Sequence, residues 1–356
     1  MLPTRRQTIL AAIVEQYIET GEPVGSKALL SKLDVNVSSA TIRNDMAALT
    51  KLGYIYQPHT SAGRIPTQAG YRYYVDNLMK VAELGEGDRR RIEAGVDTRS
   101  GDPEALLQKA GEALVDFTNF AALSTTPADE NAYIRSIEMV PVSPKMVMVV
   151  LLTSTGILKS KPCRTDTTVD EDIVSTFREV ADEHLVGRSL SDISTVMIQT
   201  LVASLGAQAL SMSPLLVTVS DLVEEASQAS VSLKGQSNLL GYKEYGGNLV
   251  ELLNFLHQSE PLGMLVADTG GSDTGIEIRI GSENKYKELS NSTTIISHYR
   301  IGNGPSGAIG IIGPTRMDYS RLIPSIKYLS DIVSRVLSEV YEEELSNGDT
   351  REENDR

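Results

Sequence analysis

The chain has 356 residues, 41% of them hydrophobic, and a net charge of −14. That length and apolar content are enough to bury two or three hydrophobic cores. A single cysteine, Cys163, excludes an internal disulfide bond and a cysteine-based metal site. The N-terminus lacks the apolar run of a signal peptide, and no stretch approaches the roughly 18 uninterrupted apolar residues of a membrane span. We therefore expect a soluble, reduced, cytoplasmic protein without a membrane partner.

The first 33 residues predict two helices. The first helix has an apolar stripe formed by Ile9, Leu10, Ile13, Val14, Tyr17 and Ile18. The helix is broken at 21–23, where glycine and proline occur together. Ser26 is then expected to cap a second, short helix whose leucines point inward, and 34–37 to form the turn into a third helix.

Residues 38–53 predict an amphipathic third helix. Ser38 or Ser39 is a good N-cap, and Gly53 ends the helix. The apolar stripe consists of Ile42, Met46, Leu49 and Leu52. The opposite face carries Ala40, Arg43, Asn44, Ala47 and Lys51. The two alanines allow this face to approach a surface closely.

A two-stranded hairpin is predicted directly after this helix. Residues 54–56 have strand character, and 59–64 form a turn with Arg64 as an exposed cation at its tip. Three helices followed by a two-stranded wing make a winged helix-turn-helix. The alternative is an ordinary three-helix module that carries an arginine and an asparagine on its outer face.

The third helix and the wing carry side chains that suit DNA recognition. Arg43 and Asn44 can form paired hydrogen bonds with base edges in the major groove, and Lys51 can contact a phosphate. The predicted DNA-binding residues are Ser39, Thr41, Arg43, Asn44, Lys51 and Arg64, with His59 and Ser61 as further candidates. For His59, a structural role beside the wing is an equal alternative.

Charge is divided unevenly along the chain. Residues 1–80 contain nine Lys or Arg against six Asp or Glu, a net charge of +3, which leaves −17 for the remainder. Phosphate binding requires local cations rather than a basic protein, and an acidic body disfavours wrapping of DNA around the rest of the molecule. The asymmetry indicates one DNA-contacting end.

The rest of the chain predicts strands, then helices, then strands again. Thr67 caps a helix, 81–102 is a charged linker, and Pro103 opens another helix. Residues 134–163 predict three strands, helical periodicity follows from 169 to 257, and strands return from 263 before a long last helix. This order is what a domain inserted into another domain produces, with edges near 165 and 262.

Three patterns that could carry chemistry have simpler explanations. Residues 302–307 fit GxGxxG, but the apolar run after them predicts a strand rather than the helix of a dinucleotide site, so a hairpin turn is favoured. The four histidines, at 59, 184, 257 and 298, lack paired metal-ligand spacing. Cys163 has basic neighbours, yet a lone cysteine at a strand end is more often inert. We predict no catalytic residue, no metal and no cofactor.

The sequence resembles the bacterial heat-inducible transcription repressor family HrcA across nearly its whole length. The resemblance is carried by 14–29, 38–55 and 59–76, and downstream by 248–256 and 304–321. It implies a dimeric repressor that binds an inverted-repeat operator upstream of chaperone operons and is kept active by the GroE chaperonin. The implied fold class is α+β: an N-terminal winged helix-turn-helix, then a GAF-like α/β domain with an inserted dimerising domain.

Placed on this chain, that layout gives six segments. They are a winged-helix DNA-binding domain at 1–80, a linker at 81–102, the GAF-like domain at 103–164 and 263–341, the inserted dimerisation domain at 165–262, and an acidic disordered tail at 342–356. Apolar residues of the helical block, such as Val196, Leu201 and 249–256, are candidates for the dimer interface. The alternative is that they fill that domain's own core.

A second function class stays open, a small-molecule-responsive transcriptional regulator that senses a ligand through its GAF-like domain. The sequence names no ligand for it. The two functions differ in whether a small molecule, or only the chaperonin, changes the affinity for DNA.

Overall fold

The computed structural model describes residues 2–33, 38–60, 62–96, 102–126, 132–228, 230–267, 275–302 and 306–352. Its α-helices are α1 (Thr4–Thr20), α2 (Ser26–Lys32), α3 (Ser39–Lys51), α4 (Gln68–Asn77), α5 (Glu86–Ala94), α6 (Pro103–Thr118), α7 (Glu171–His184), α8 (Thr195–Ser204), α9 (Ala209–Ser227), α10 (Leu249–Leu256), α11 (Ser259–Ala267) and α12 (Tyr319–Glu352). Its strands are β1 (Ile55–Tyr56), β2 (Ile65–Pro66), β3 (Ala121–Thr125), β4 (Ile134–Ser143), β5 (Met146–Thr153), β6 (Leu158–Arg164), β7 (Val231–Lys234), β8 (Ile276–Ile280), β9 (Ser292–Arg300) and β10 (Ser306–Pro314). This mixture of helices and antiparallel sheets is α+β, as the sequence predicts.

The first four helices and the β1–β2 pair form an N-terminal unit, which we call the head (residues 2–78). Gly21 ends α1 with a left-handed backbone, at φ 70°. The Ser38 hydroxyl caps α3, and the Thr67 hydroxyl caps α4, each by accepting a hydrogen bond from a backbone amide of the first turn. These start and stop signals are the ones that the sequence predicts.

Two predictions about the ends of α2 and α3 are wrong. Ser26 does not cap α2: Gly25 occupies the cap position, and Ser26 Oγ instead lies 3.3 Å from Ser39 Oγ of α3. Leu52 does not join the apolar stripe, because α3 ends at Lys51 and leaves the Leu52 side chain 53% exposed. The turn predicted for 34–37 lies outside the described residues.

One hydrophobic cluster runs from the head into the domain behind it. It includes Ile13 of α1 and Ile42 of α3, and it continues through Ile326 of α12. Tyr71 of α4 packs against Tyr319 at the start of α12, with ring centroids 6.0 Å apart. The head is therefore packed on the body of the molecule.

Five antiparallel strands form the sheet of the central domain, in the order β7-β3-β10-β9-β8. Helices α6 and α12 pack on one face, while α10, α11 and the 3-10 turns before them cover the other. β3 pairs with β10, so that Thr125 lies opposite Ala308, 183 positions later. The sheet thus joins distant parts of the chain.

A second unit, which we call the insertion unit (132–228), leaves the central sheet after β3 and returns to it at β7. Its three-stranded sheet has the order β4-β5-β6. The inner face of this sheet contributes Val149 and Leu151 to a core that α9 closes with Leu215 and Val219. The strands and the helices therefore form one folded unit.

The insertion is displaced from the predicted range, 165–262. That range separates β4–β6 from the helices that share their core, and it assigns β7, α10 and α11 to the wrong unit. β7 instead extends the central sheet beside β3, and α10 and α11 cover that sheet through Leu252, Phe255 and Leu265. The reason is that a short strand with a distant partner gives no local sign of the sheet it joins.

Three further segments differ from expectation. The strand predicted from 263 is the second half of α11, whose Leu265 is buried against the central sheet. The predicted linker, 81–102, contains α5, and the buried Ile92 anchors that helix. The predicted disordered tail is helical in its described part, since α12 extends to Glu352.

Two apolar or glycine-rich segments have structural explanations. The GxGxxG pattern lies at an antiparallel hairpin, as predicted, because β9 pairs with β10 from Arg300 and Ser306 onward; 303–305 lie outside the described residues. Within the described ranges, no single helix is long and apolar enough to cross a bilayer. The apolar pair Thr195–Ser204 and Gly206–Ser227 is bent by 118° and contributes to the core of the insertion unit.

Candidate nucleic-acid interface

The solvent side of α3 presents the residues that the sequence places on its polar face. The exposed residues are Ala40, Arg43, Asn44, Ala47 and Lys51. Ile42 and Leu49, on the opposite side, are completely buried. The helix thus offers hydrogen-bond donors with small residues between them, which suits close approach to base edges.

Ser39 and Thr41 lie in the first turn of α3, and their hydroxyls already have protein partners. Ser39 Oγ is 3.3 Å from Ser26 Oγ of α2. Thr41 Oγ1 is 3.0 Å from the hydroxyl of Ser38. A hydroxyl both donates and accepts, so each can form one more bond outward. In this structure they hold the start of α3 in place.

Arg64 is not the exposed tip of the turn that the sequence predicts. It directly precedes β2, and its backbone forms two hydrogen bonds with Val24, of 2.8 and 2.9 Å. Its Nε donates to Thr50 Oγ1 of α3 at 3.2 Å, and the residue is half-buried. Gly63 explains this position, because a Cβ there would lie 2.5 Å from the Val24 carbonyl. The glycine lets the hairpin run close to the connection between α1 and α2.

Gln57 braces the hairpin loop from within. Its Nε2 donates to the carbonyl oxygens of Thr60 and Ala62, each at 2.9 Å. The carbonyl of His59 accepts from the Ala62 amide, and the His59 residue is exposed. Ser61 lies outside the described residues. The loop therefore leaves His59 accessible to a partner.

A groove of about 270 Å³ lies between α3 and the hairpin. It is lined by Gly25, Ser26, Arg43, Met46, Gln57, Ala62, Gly63 and Arg64. Two of the predicted DNA-binding cations, Arg43 and Arg64, thus meet in one place, and these lining residues include no acid. Asn44 and Lys51 lie on α3 outside the groove. The structure therefore brings α3 and the hairpin together at one groove, with an arginine from each side.

Asp45 is a candidate that the sequence pattern does not reveal. Its carboxylate is buried, with the residue 3% exposed, and accepts from Arg5 Nε at 2.6 Å and from Arg6 Nε at 3.0 Å. The hydrogen bond from Arg5 is the main reason that the pKa of Asp45 lies below its ordinary value. These contacts tie the first turn of α1 to the middle of α3. The available signal is a carboxylate three residues after Ile42, on the buried side of a helix, where a charge needs a partner.

Arginine contacts also hold the head on the central domain. Arg72 of α4 donates through Nε to Glu283 at 3.0 Å. Arg316 donates to Glu244 at 2.6 Å and to the carbonyl oxygen of Ile18 at 3.2 Å. These contacts use α1 and α4, so they leave the solvent side of α3 for a partner.

Outside α3 and the hairpin, the described part of the chain has fewer side chains arranged for binding or catalysis. No group of three His, Cys, Asp or Glu side chains among those residues could hold a metal ion. Cys163 is buried, and its Sγ lies 3.4 Å from the carbonyl oxygen of Pro214. The surface formed by α3 and the hairpin is therefore the candidate site.

Comparison with known proteins identifies the family. The profile of the HrcA protein C-terminal domain matches residues 104–323. The heat-inducible transcription repressor HrcA of Acetivibrio thermocellus is 33% identical over 97% of this chain and 99% of its own length. That of Thermobifida fusca is 34% identical over 95% of this chain and 98% of its own. A crystal structure of a protein described as hypothetical has a TM-score of 0.70 and 27% identity, covering 96% of this chain and 100% of that one.

These matches extend over the head as well as the domains behind it. The two repressors and the solved structure each cover at least 95% of this chain. The profile adds a match to the central domain and the insertion unit. The chain belongs to the HrcA family of heat-inducible transcription repressors.

Proposed function

We propose that this protein represses the transcription of heat-shock chaperone operons by binding an operator through its head, which acts as a winged helix-turn-helix. The exposed face of α3 beside the groove that holds Arg43 and Arg64 is the observation that supports this most. The major groove admits one α-helix, and a neighbouring hairpin can then contact the DNA backbone. In this proposal the protein acts in the cytoplasm.

The head residues divide into base contacts and backbone contacts in this proposal. Arg43 and Asn44 bind base edges, because they lie on the exposed side of α3. Lys51 and Arg64 bind phosphates. Additional polar contacts come from Ser39 and Thr41 at the start of α3, from His59 in the hairpin loop, and from Ser61.

A footprint on the chaperone promoters of the same organism tests the proposal. The full-length protein should protect one segment that contains an inverted repeat. An unrelated promoter fragment of equal length, at the same salt concentration, is the control, because non-specific binding depends strongly on salt. Equal protection of both fragments would count against a specific repressor.

We also propose that the protein is a homodimer, because an inverted repeat matches a two-fold symmetric partner. The predicted interface residues divide in the structure. Leu201, Leu252 and Phe255 fill hydrophobic cores, whereas Val196 is 70% exposed. Core filling, the alternative that the sequence leaves open, therefore accounts for the three buried residues, whereas Val196 and Val250, at 70% and 66% exposed, remain accessible to a partner.

The outer face of the β4-β5-β6 sheet is the surface that we propose for the dimer contact. The apolar residues of this face are Val140, Met148, Val150, Leu152, Leu158 and Pro162, and the polar residues Ser136, Glu138 and Ser160 lie among them. Val140 is 51% exposed and Leu158 is 55% exposed. A cluster of exposed apolar side chains on a sheet is typical of an interaction surface. A second copy of the insertion unit would cover it symmetrically.

The central domain, in our proposal, is the GAF-like domain, and the GroE chaperonin keeps the repressor active. The supporting observation is the pairing of β3 with β10 across 183 positions, with the insertion unit between them. Non-local pairing slows folding and exposes apolar surface meanwhile. Apparent DNA affinity falls with the fraction of competent protein, so a chaperonin that raises this fraction acts as a corepressor.

An operator titration with and without chaperonin tests this regulation. Chaperonin should raise the fraction of protein that binds DNA, and a mild heat step should lower that fraction unless chaperonin is present. Bovine serum albumin at the same mass concentration controls for non-specific protection. A binding fraction that is unchanged by chaperonin and stable to heat would contradict the mechanism.

One observation favours a second function, that of a small-molecule-responsive regulator. A cavity of about 480 Å³ between the head and the central domain is lined in part by Tyr17, Tyr71 and Arg316. The buried Tyr71 hydroxyl has no hydrogen-bond partner among the described residues. A polar ligand in this cavity would contact both units and change how the head is held. If a protein-free metabolite extract alters operator affinity in the absence of chaperonin, this second function is supported.

A further inference from the structure

The contact between Asp45 and the two arginines of α1 uses only part of each guanidinium. Both arginines donate through Nε, at 2.6 Å from Arg5 and 3.0 Å from Arg6. Among the described residues, the terminal amino groups of both side chains have no hydrogen-bond partner. The Arg5 side chain is 51% exposed and that of Arg6 is 34% exposed. Four donor nitrogens are therefore held in place and left for another acceptor.

The charge of this cluster favours an anion as the acceptor. Two guanidinium groups share one carboxylate, so the cluster keeps one positive charge. The lowered pKa of Asp45 means that its carboxylate stays ionised at neutral pH and continues to orient both arginines. Guanidinium amino groups form strong, directed hydrogen bonds with phosphate oxygens.

The position of the cluster indicates which anion it meets. Asp45 is one residue after Asn44, which is about 100° further round α3, so the arginines that contact it lie along the flank of α3 next to Asn44 and not on the exposed face itself. A helix in the major groove has a phosphate backbone along each side, and most protein–DNA hydrogen bonds are made to such phosphates. The first turn of α1 would lie along one of these backbones.

We infer that Arg5 and Arg6 form a phosphate clamp, a pair of backbone contacts beside α3 that Asp45 orients. The inference rests on the proposed function, in which α3 enters the major groove. In this arrangement Asp45 is a positioning residue, because it contacts the arginines and not the DNA. The clamp adds two DNA-binding residues outside α3 and the hairpin.

Salt dependence of DNA binding tests the clamp. The variants Arg5→Gln and Arg6→Gln are measured in the full-length protein, on a chaperone-promoter duplex and on a random duplex of equal length. Each variant should reduce the steepness of the decrease of log K with log salt by about 0.9 on both duplexes, because each removes one phosphate contact. Arg90→Gln is the matched control, since Arg90 is 79% exposed in α5, outside the head, and its slope should equal that of the unchanged protein.

The variant Asp45→Asn distinguishes two effects of the Asp45 carboxylate: its orientation of the arginines and the repulsion of DNA by its negative charge. Removing a negative charge near DNA should by itself tighten binding. If Asp45 orients the clamp, binding should instead weaken and the slope should fall. Thermal unfolding of each variant shows whether it remains folded. If the Asp45→Asn variant is unfolded, the salt slopes of the two arginine variants alone test the clamp.

The outcomes distinguish this inference from the proposed function. If the unchanged protein binds the promoter duplex specifically but both arginine variants keep its full slope, the clamp is overturned and the repressor function stands. Tighter binding by a folded Asp45→Asn variant overturns the orienting role. If the unchanged protein binds neither duplex, the proposed function and the clamp fail together.

Discussion

Arg43 and Asn44 are neighbours on the exposed side of α3, where base edges would lie. Replacing either by alanine should weaken operator binding by about 1–3 kcal/mol and relax specificity at particular base pairs. Gel-shift titrations with operators changed one base pair at a time would measure both effects. Binding of a random duplex should change far less. If both variants bind the operator normally, α3 is not the recognition helix.

Arg64 should behave differently, because it belongs to the hairpin side of the groove. Arg64→Ala should weaken binding to all sequences and reduce the salt slope by about 1. Thr50→Ala is the matched control, since it removes the internal hydrogen bond to Arg64 Nε but keeps the guanidinium. An equal slope for Arg64→Ala and the unchanged protein would leave Arg64 with a structural role only.

The same residues show which parts of the site can be read from sequence. The exposure of Arg43, Asn44 and Lys51 follows from helical periodicity, which is a local property. The half-buried position of Arg64 depends on the close approach of Gly63 to Val24, a contact between segments almost forty positions apart. A pattern read along one helix contains no such information.

Among the elements, α4 packs so closely that it leaves no room for a side chain at Gly70. A Cβ at that position would lie 2.1 Å from the carbonyl oxygen of Tyr54. Gly70→Ala should therefore lower the free energy of unfolding by about 1–3 kcal/mol. Gly87→Ala in α5, where a Cβ would meet nothing within 4 Å, should be neutral or stabilise by up to about 1 kcal/mol. Denaturant titration compares the two, and equal losses would contradict the packing argument.

Elements that pair with sequence neighbours were predictable, and those with distant partners were not. The strands β4, β5 and β6 form consecutive hairpins, so their periodicity and turns sufficed. β7 is only Val231–Lys234 and pairs with β3, from which the whole insertion unit separates it. That pairing sets the C-terminal limit of the insertion, and the core that β5 shares with α9 sets the N-terminal one, so neither limit of the predicted range 165–262 has a local signal in the sequence.

For the whole molecule, the apolar outer face of the β4-β5-β6 sheet should decide the oligomeric state. Leu158→Asp, or Val140→Asp as a second variant, should convert a dimer into a monomer, because a charge at a buried interface lacks a partner. Leu240→Asp is the control, since Leu240 is 59% exposed in the central domain. Light scattering gives the mass. A dimer that persists in both sheet variants would exclude this face as the interface.

The pairing of β3 with β10 also has a consequence during synthesis. Ribosomes add about 5–20 residues per second, so β3 waits roughly ten to forty seconds for a strand that lies 183 positions later. Over that interval the emerging chain has one sheet edge uncovered while the insertion unit forms. A chain that stops before β10 lacks the strand that joins β3 to β9 in the central sheet, and also α12, against which the head packs. The complete central sheet therefore forms only in chains whose synthesis has passed β10.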